Sequence, residues 1–103
     1  MFQLTDKNYK EFLNKSTTPV LIDFYADWCG PCKMLSPVLE KLAQQVTNVT
    51  FVKVDTDENP ELTKFFGITA MPTMVLVDVM NELARMVGAA PEAKVRKFIE
   101  SNV

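Results

Sequence analysis

The two cysteines of this 103-residue chain stand in one run, Trp28-Cys29-Gly30-Pro31-Cys32-Lys33. Two thiols separated by two residues can close a small ring, so they can pass between dithiol and disulfide with little backbone movement. Thiol–disulfide exchange requires that arrangement: one thiolate attacks a foreign disulfide and a nearby thiol releases the product. A purely structural disulfide at this spacing closes so short a loop that it constrains the unfolded chain little. Zinc normally takes four ligands, and the chain has no His and no third Cys. Only a dimer pooling two pairs could hold the ion, so no metal is expected.

Cys29 falls just before or at the start of a helix, where unpaired N–H groups and the positive end of the dipole favour a thiolate. Cys32, three residues on, is expected to be the less exposed of the two. Cys29 is therefore the candidate attacking thiol and Cys32 the resolving thiol. Gly30 lets another backbone approach, and Pro31 keeps the sulfurs close. Asp23 interrupts the apolar run Val20-Leu21-Ile22-Asp23-Phe24-Tyr25-Ala26. A carboxyl there is desolvated, which raises its pKa. It is either a proton acceptor for Cys32 or a structural acid with its own partner. Lys53, the odd polar member of the next apolar run, is its candidate partner. Met71-Pro72-Thr73 places a proline at a strand entrance, where it removes a ladder donor and marks a turn. Trp28 and Met71 adjoin the chemistry and offer apolar contact to a partner.

The elements around these residues follow from periodicity. Phe2-Gln3-Leu4 reads as a short edge strand. Thr5 or Asp6 is a plausible N-cap for a helix to about Asn14. Residues 20–26 form a strand covered on both faces. Pro31 suits the first turn of a helix whose stripe is Met34, Leu35, Val38, Leu39, Leu42, Ala43 and Val46, with Pro37 kinking rather than ending it. Val49 to Val54 is a second buried strand. Asp57-Glu58-Asn59-Pro60 resembles a capped start for a short helix from Glu61 to Phe66, stopped by Gly67. Thr73 to Val79 and Glu82 to Val87 are two strands joined by a tight turn near Met80-Asn81. Pro91 opens a last helix with Val95, Phe98 and Ile99 on one face. The order β-α-β-α-β-α-β-β-α implies parallel crossovers followed by a hairpin, hence an α/β fold with a mixed sheet and helices on both faces.

At this length one domain over residues 1–103 is expected. A net charge of −2 gives no basic footprint for nucleic acid. The apolar runs are too short to span a membrane, and no signal peptide is visible. Two cysteines in such a chain point to redox or metal chemistry in a cytoplasmic setting.

The motifs together resemble the thioredoxin family. Trp28-Cys29-Gly30-Pro31-Cys32-Lys33 matches its active-site motif with the reducing-type Gly-Pro dipeptide. Asp23-Phe24-Tyr25-Ala26, Pro37, Lys53-Val54-Asp55, Asn59-Pro60, Gly67-Ile68, Met71-Pro72-Thr73 and Val87-Gly88-Ala89 match further segments, so the likeness covers essentially the whole chain. Tyr25 stands where Trp is frequent, Ala70 where Gly is frequent, and Met80-Asn81-Glu82 lacks the usual hairpin glycine. A type I′ turn there would need a non-glycine residue at positive φ, which Asn tolerates better than Met.

The resemblance implies a thioredoxin fold of about five strands and four helices. It implies a protein-disulfide reductase in which Cys29 attacks, Cys32 resolves and Asp23, partnered by Lys53, assists proton transfer. Gly30 and Pro31 would tune the thiols, Pro72 would be cis, and Trp28, Ala70, Met71, Pro72 and Gly88 would line the substrate groove. It also implies a monomer with no bound cofactor that serves cell redox homeostasis. Electrons would come from NADPH through a flavin-dependent thioredoxin reductase. By family analogy the partners would be peroxiredoxin, ribonucleotide reductase or methionine sulfoxide reductase. The rival readings are an oxidase or isomerase of the same fold, and a binding subunit whose redox pair is incidental.

Overall fold

Strand β2 (Val20–Tyr25) is the axis of the structure, and its apolar composition follows from having a neighbour on each edge and a helical layer on each face. In the computed structural model, which describes residues 1–103, it pairs in parallel with β3 (Thr50–Asp55) and antiparallel with β4 (Thr73–Asp78). Short β1 (Phe2–Gln3) runs parallel to β3, and β5 (Asn81–Val87) closes the other edge against β4. The sheet order is β1-β3-β2-β4-β5, a mixed five-stranded sheet. Four helices cover it: α1 (Tyr9–Asn14), α2 (Gly30–Gln45), α3 (Pro60–Phe65) and α4 (Glu92–Glu100).

Period-two alternation divides the strand side chains between two cores. Ile22, Phe24, Val52, Val54, Val75 and Val77 meet Tyr9 and Leu13 of α1 and Leu62 of α3. Leu21, Phe51, Met74 and Leu76 meet the Leu35, Leu39 and Leu42 stripe of α2 and Val95 and Ile99 of α4. Asp23 shares the parity of Leu21 and therefore faces the α2 side. Pro37 lies within α2 without ending it, although it leaves the Lys33 carbonyl without its usual donor.

Several boundaries differ from the sequence reading. The first helix begins at Tyr9, preceded by a turn in which the Thr5 carbonyl accepts from the N–H groups of Asn8 and Tyr9. Asp6 is not its cap. The Asp6 carboxylate reaches across to α3 and accepts from the N–H groups of Glu61 (3.2 Å) and Leu62 (2.7 Å). Asn59 occupies the N-cap position of α3 but does not cap it. Its amide oxygen instead accepts from the Asp6 N–H at 3.0 Å. An acid supplied from another segment satisfies the same orphan donors as a local cap. Strand β3 runs one residue later than Val49–Val54, and α3 one residue earlier than Glu61–Phe66. Gly67, at φ 65°, ends α3 as expected: its N–H bonds the Lys64 carbonyl and that of Ile68 bonds the Thr63 carbonyl.

The hairpin turn lies one residue earlier than expected, and Val79, rather than Met80 or Asn81, takes positive φ (58°). A β-branched residue there is strained by roughly 1–2 kcal/mol. Val79→Gly relieves the strain and loses part of the gain to greater unfolded-chain freedom, so a net stabilisation of about 1 kcal/mol is expected in urea unfolding.

Candidate active site

The loop leaving β2 turns directly into α2, and the cysteines lie at that junction. Cys29 is the N-cap residue, with φ −88° and ψ 110°, and its Sγ accepts from the Cys32 N–H at 3.2 Å. Gly30 and Pro31 form the exposed first turn, where the missing proline N–H costs nothing. Cys29 and Cys32 are joined as a disulfide, with Cα atoms 5.3 Å apart. Their expected difference in exposure is absent, since they are 5% and 4% exposed. What distinguishes them is surroundings. Cys29 sits at the helix end, whereas Cys32 lines a cavity of about 140 Å³ together with Asp23.

Asp23 lies in mid-β2, beside Lys53 on β3 and Met74 on β4. It is 4% exposed, and its Oδ1 has no hydrogen-bond partner. Burial pushes its pKa up to about 7, against the opposing pull of the Lys53 charge. Lys53 is thus a register neighbour whose charge favours the Asp23 carboxylate, with no salt bridge between them. The ion pairs of the chain join other residues. The Lys53 ammonium lies 5.7 Å from the centre of the Tyr25 ring, at cation–π distance.

A wall faces the sulfurs across the sheet end. The Met71-Pro72 bond is cis, and Met71 packs against the cluster of Ala26, Cys29 and Cys32. The Thr73 hydroxyl donates to the Ala70 carbonyl at 2.6 Å. The Gly88 N–H, at φ 95°, donates to the Pro72 carbonyl at 2.8 Å. The backbone N–H and carbonyl of Met71 bond nothing within the chain, so they remain available to another backbone. Ala70 is exposed, and Trp28 lies open at 69% exposure. The Trp28 indole N–H donates to Asp57 Oδ2 at 3.0 Å.

The structure therefore brings Asp23 and Cys32 to one cavity, Met71 to the cluster holding the cysteines and Gly88 to Pro72. Sequence reasoning missed Asp57, Tyr25 as the seat of the Lys53 ammonium, and Ser36 on the cavity wall. Only Ser36 carried a usable signal, its i+4 spacing from Cys32. Larger open hollows of about 570 and 620 Å³ lie elsewhere and touch neither sulfur. A paired dithiol, a buried carboxyl and a free backbone edge can together perform disulfide exchange.

The thioredoxin family model matches residues 1–101. The chain belongs to the thioredoxin family. It is 38% identical over 102 residues to thioredoxin 1 of Nostoc sp. strain PCC 7120, covering 98% of this chain and 95% of that protein. It is 42% identical over 92 residues to the bifunctional thioredoxin reductase/thioredoxin of Mycobacterium leprae, covering 88% of this chain and 20% of that protein. A chain solved in work on the thiol resolving mechanism of yeast mitochondrial 1-Cys peroxiredoxin superposes with a TM-score of 0.88 at 37% identity, covering 98% and 94% of the two chains. The thioredoxin fold and family thus meet a vicinal cysteine pair, which makes this protein a thiol–disulfide oxidoreductase of the disulfide-reducing kind. No helix is long and apolar enough to cross a membrane.

Proposed function

We propose that residues 1–103 act as one domain that reduces partner disulfides with Cys29 as nucleophile, Cys32 as resolving thiol and Asp23 as proton acceptor. The observation that carries these roles is the unpartnered Asp23 oxygen in the cavity that Cys32 lines, while Cys29 caps α2 outside it. The partner segment lies along Met71, pairing with its free N–H and carbonyl, with Trp28, Gly30, Pro31, Ala70, Pro72 and Gly88 around it.

The Cys29 thiolate attacks one partner sulfur, breaks the partner disulfide and forms a mixed disulfide, and the other partner sulfur leaves with the electron pair and takes up a proton. Cys32 then gives its proton to Asp23 and attacks Cys29 Sγ. The mixed disulfide breaks, and the second partner sulfur departs as a thiolate. The partner gains two electrons and the Cys29–Cys32 disulfide forms.

Turnover needs reduction of that disulfide, and the bifunctional thioredoxin reductase/thioredoxin of M. leprae supports a thioredoxin reductase as the donor, with NADPH and a flavin as the electron route the family resemblance implies. The peroxiredoxin work supports peroxiredoxins as one partner class, beside ribonucleotide reductase and methionine sulfoxide reductase. The protein itself binds no cofactor in this reading and works as a monomer. A dithiol of this kind belongs where thiols are kept reduced, which supports the cytoplasm.

The test is a Cys32→Ser variant, which lacks the resolving thiol. Incubated with an oxidised substrate protein, it is expected to accumulate a covalent complex that runs as one band without reductant and as two with it. The introduced hydroxyl forms no disulfide, so the bridge in that complex runs through Cys29. Failure to trap any partner, with Cys32→Ser as active as the parent, would overturn the assignment.

A further inference from the structure

We propose that Ser36 is a positioning residue for proton transfer, holding water in the cavity beneath the disulfide so that Asp23 exchanges protons with solvent. The inference rests on Asp23 as the acceptor for Cys32 and extends that reading to the proton's way out. Asp23 can accept the Cys32 proton only as the carboxylate, so any proton it already carries must first leave to solvent before the resolving step can go forward. The sheet blocks a direct path, because Lys53 and Met74 flank Asp23 and the residue is almost fully buried.

The cavity provides the alternative. Its 140 Å³ is room for about four waters at roughly 30 Å³ each, and its wall is polar enough to hold them. The Asp23 Oδ1 lacks a partner in the chain. A buried oxygen in this state needs a donor, and water is the one that fits.

Ser36 is the hydroxyl placed to organise that water. On α2 it stands four residues after Cys32, one turn away on the same face, and it is half-buried between cavity and surface. The charged groups around the cavity serve less well. Lys53 from β3 and Lys33 from α2 are ammonium donors without an acceptor lone pair. Asp27, in the loop after β2, is exposed on the cavity wall, and β4 places Met74 beside Asp23 and no charged side chain along β2. The Tyr25 phenol is turned to the Gln3 amide at 3.4 Å. A serine hydroxyl both donates and accepts, so it can pass a proton along a water chain without changing charge.

The experiment isolates the resolving step. Cys29 is loaded as a mixed disulfide with 5-thio-2-nitrobenzoate, and release of the coloured thiolate by Cys32 is followed from about pH 6 to about pH 9, across the ordinary thiol range. Parent, Ser36→Ala, Ser36→Thr and Asp23→Asn are compared, with thermal unfolding as a control on the fold. Ser36→Ala is expected to release the thiolate about tenfold more slowly near neutrality, within the range of general acid–base effects. The deficit is expected to close toward pH 9, where Cys32 ionises unaided, and Ser36→Thr is expected to restore the parent rate. If Ser36→Ala matches the parent throughout while Asp23→Asn is slow, Ser36 has no part in the transfer. A Thr variant as slow as the Ala variant overturns the role of the hydroxyl. If Asp23→Asn is as fast as the parent, the acid–base role of Asp23 itself falls, and this inference with it.

Discussion

Cys29→Ser is expected to bring the reduction of insulin disulfides down to the rate seen without protein. In the proposed mechanism both electrons delivered to a partner pass through a bond first made at Cys29 Sγ, and a serine hydroxyl, far less acidic than a thiol, makes no such bond at neutral pH. The loss is specific to chemistry. Serine is among the best N-cap residues, so its oxygen can take over the Cys32 N–H that Cys29 Sγ accepts. The variant is therefore expected to unfold at nearly the parent temperature in the reduced state. An insulin assay showing substantial residual turnover by Cys29→Ser would transfer the nucleophilic role to Cys32.

Asp23→Asn is expected to raise stability. The carboxyl has a pKa near 3.8 in the unfolded chain and about 7 when folded, so between these values the native state holds more protons than the unfolded state. Stability is then greatest below about pH 4, falls as pH rises through the interval and levels off above about pH 7. At 1.36 kcal/mol per unit, the difference of about three units corresponds to at most about 4 kcal/mol. Asn carries no charge to bury, so the variant should gain a few kcal/mol over the parent at pH 8 and nothing near pH 4, as read by urea unfolding at both. In the proposed mechanism the same titration shapes catalysis, because only ionised Asp23 can accept the Cys32 proton. A stability difference independent of pH would show that Asp23 is not the buried titrating acid. The group that weakens the fold at working pH is thus the one proposed to serve the resolving step, a familiar trade between activity and stability.

Much of this was legible in order because local chemistry declares itself. The Cys29–Cys32 spacing, the acid within β2, the stripe of α2 and the alternation of strands and helices all depend on neighbours within a few residues. What was not legible depends on distant ones. Asp6 reads as a cap for the helix that follows it, yet it serves Glu61 and Leu62, more than fifty residues away. Trp28 finds Asp57 only after β2 and β3 lie side by side. The Lys53 ammonium reads as the partner of Asp23, and only the placement of the Tyr25 ring shows that it also stands at cation–π distance from an aromatic face. The near-equal burial of the two cysteines reflects packing by Ala26, Tyr25 and Met71 rather than their positions in the helix. Val79 defied turn chemistry altogether, because the register of β4 and β5 decides which residue takes the bend.

The hydrogen bond from Gly88 to the Pro72 carbonyl has a consequence for biosynthesis. Chains emerge from the ribosome amino end first, so Cys29 and Cys32 appear long before Met71, Pro72 and Gly88. Until the last hairpin is made, β2 lacks β4 along one edge and the thiols lack the wall that would select a partner. A nascent chain thus carries its reactive sulfurs before it carries the segment from Met71 to Gly88 that is proposed to choose what they react with.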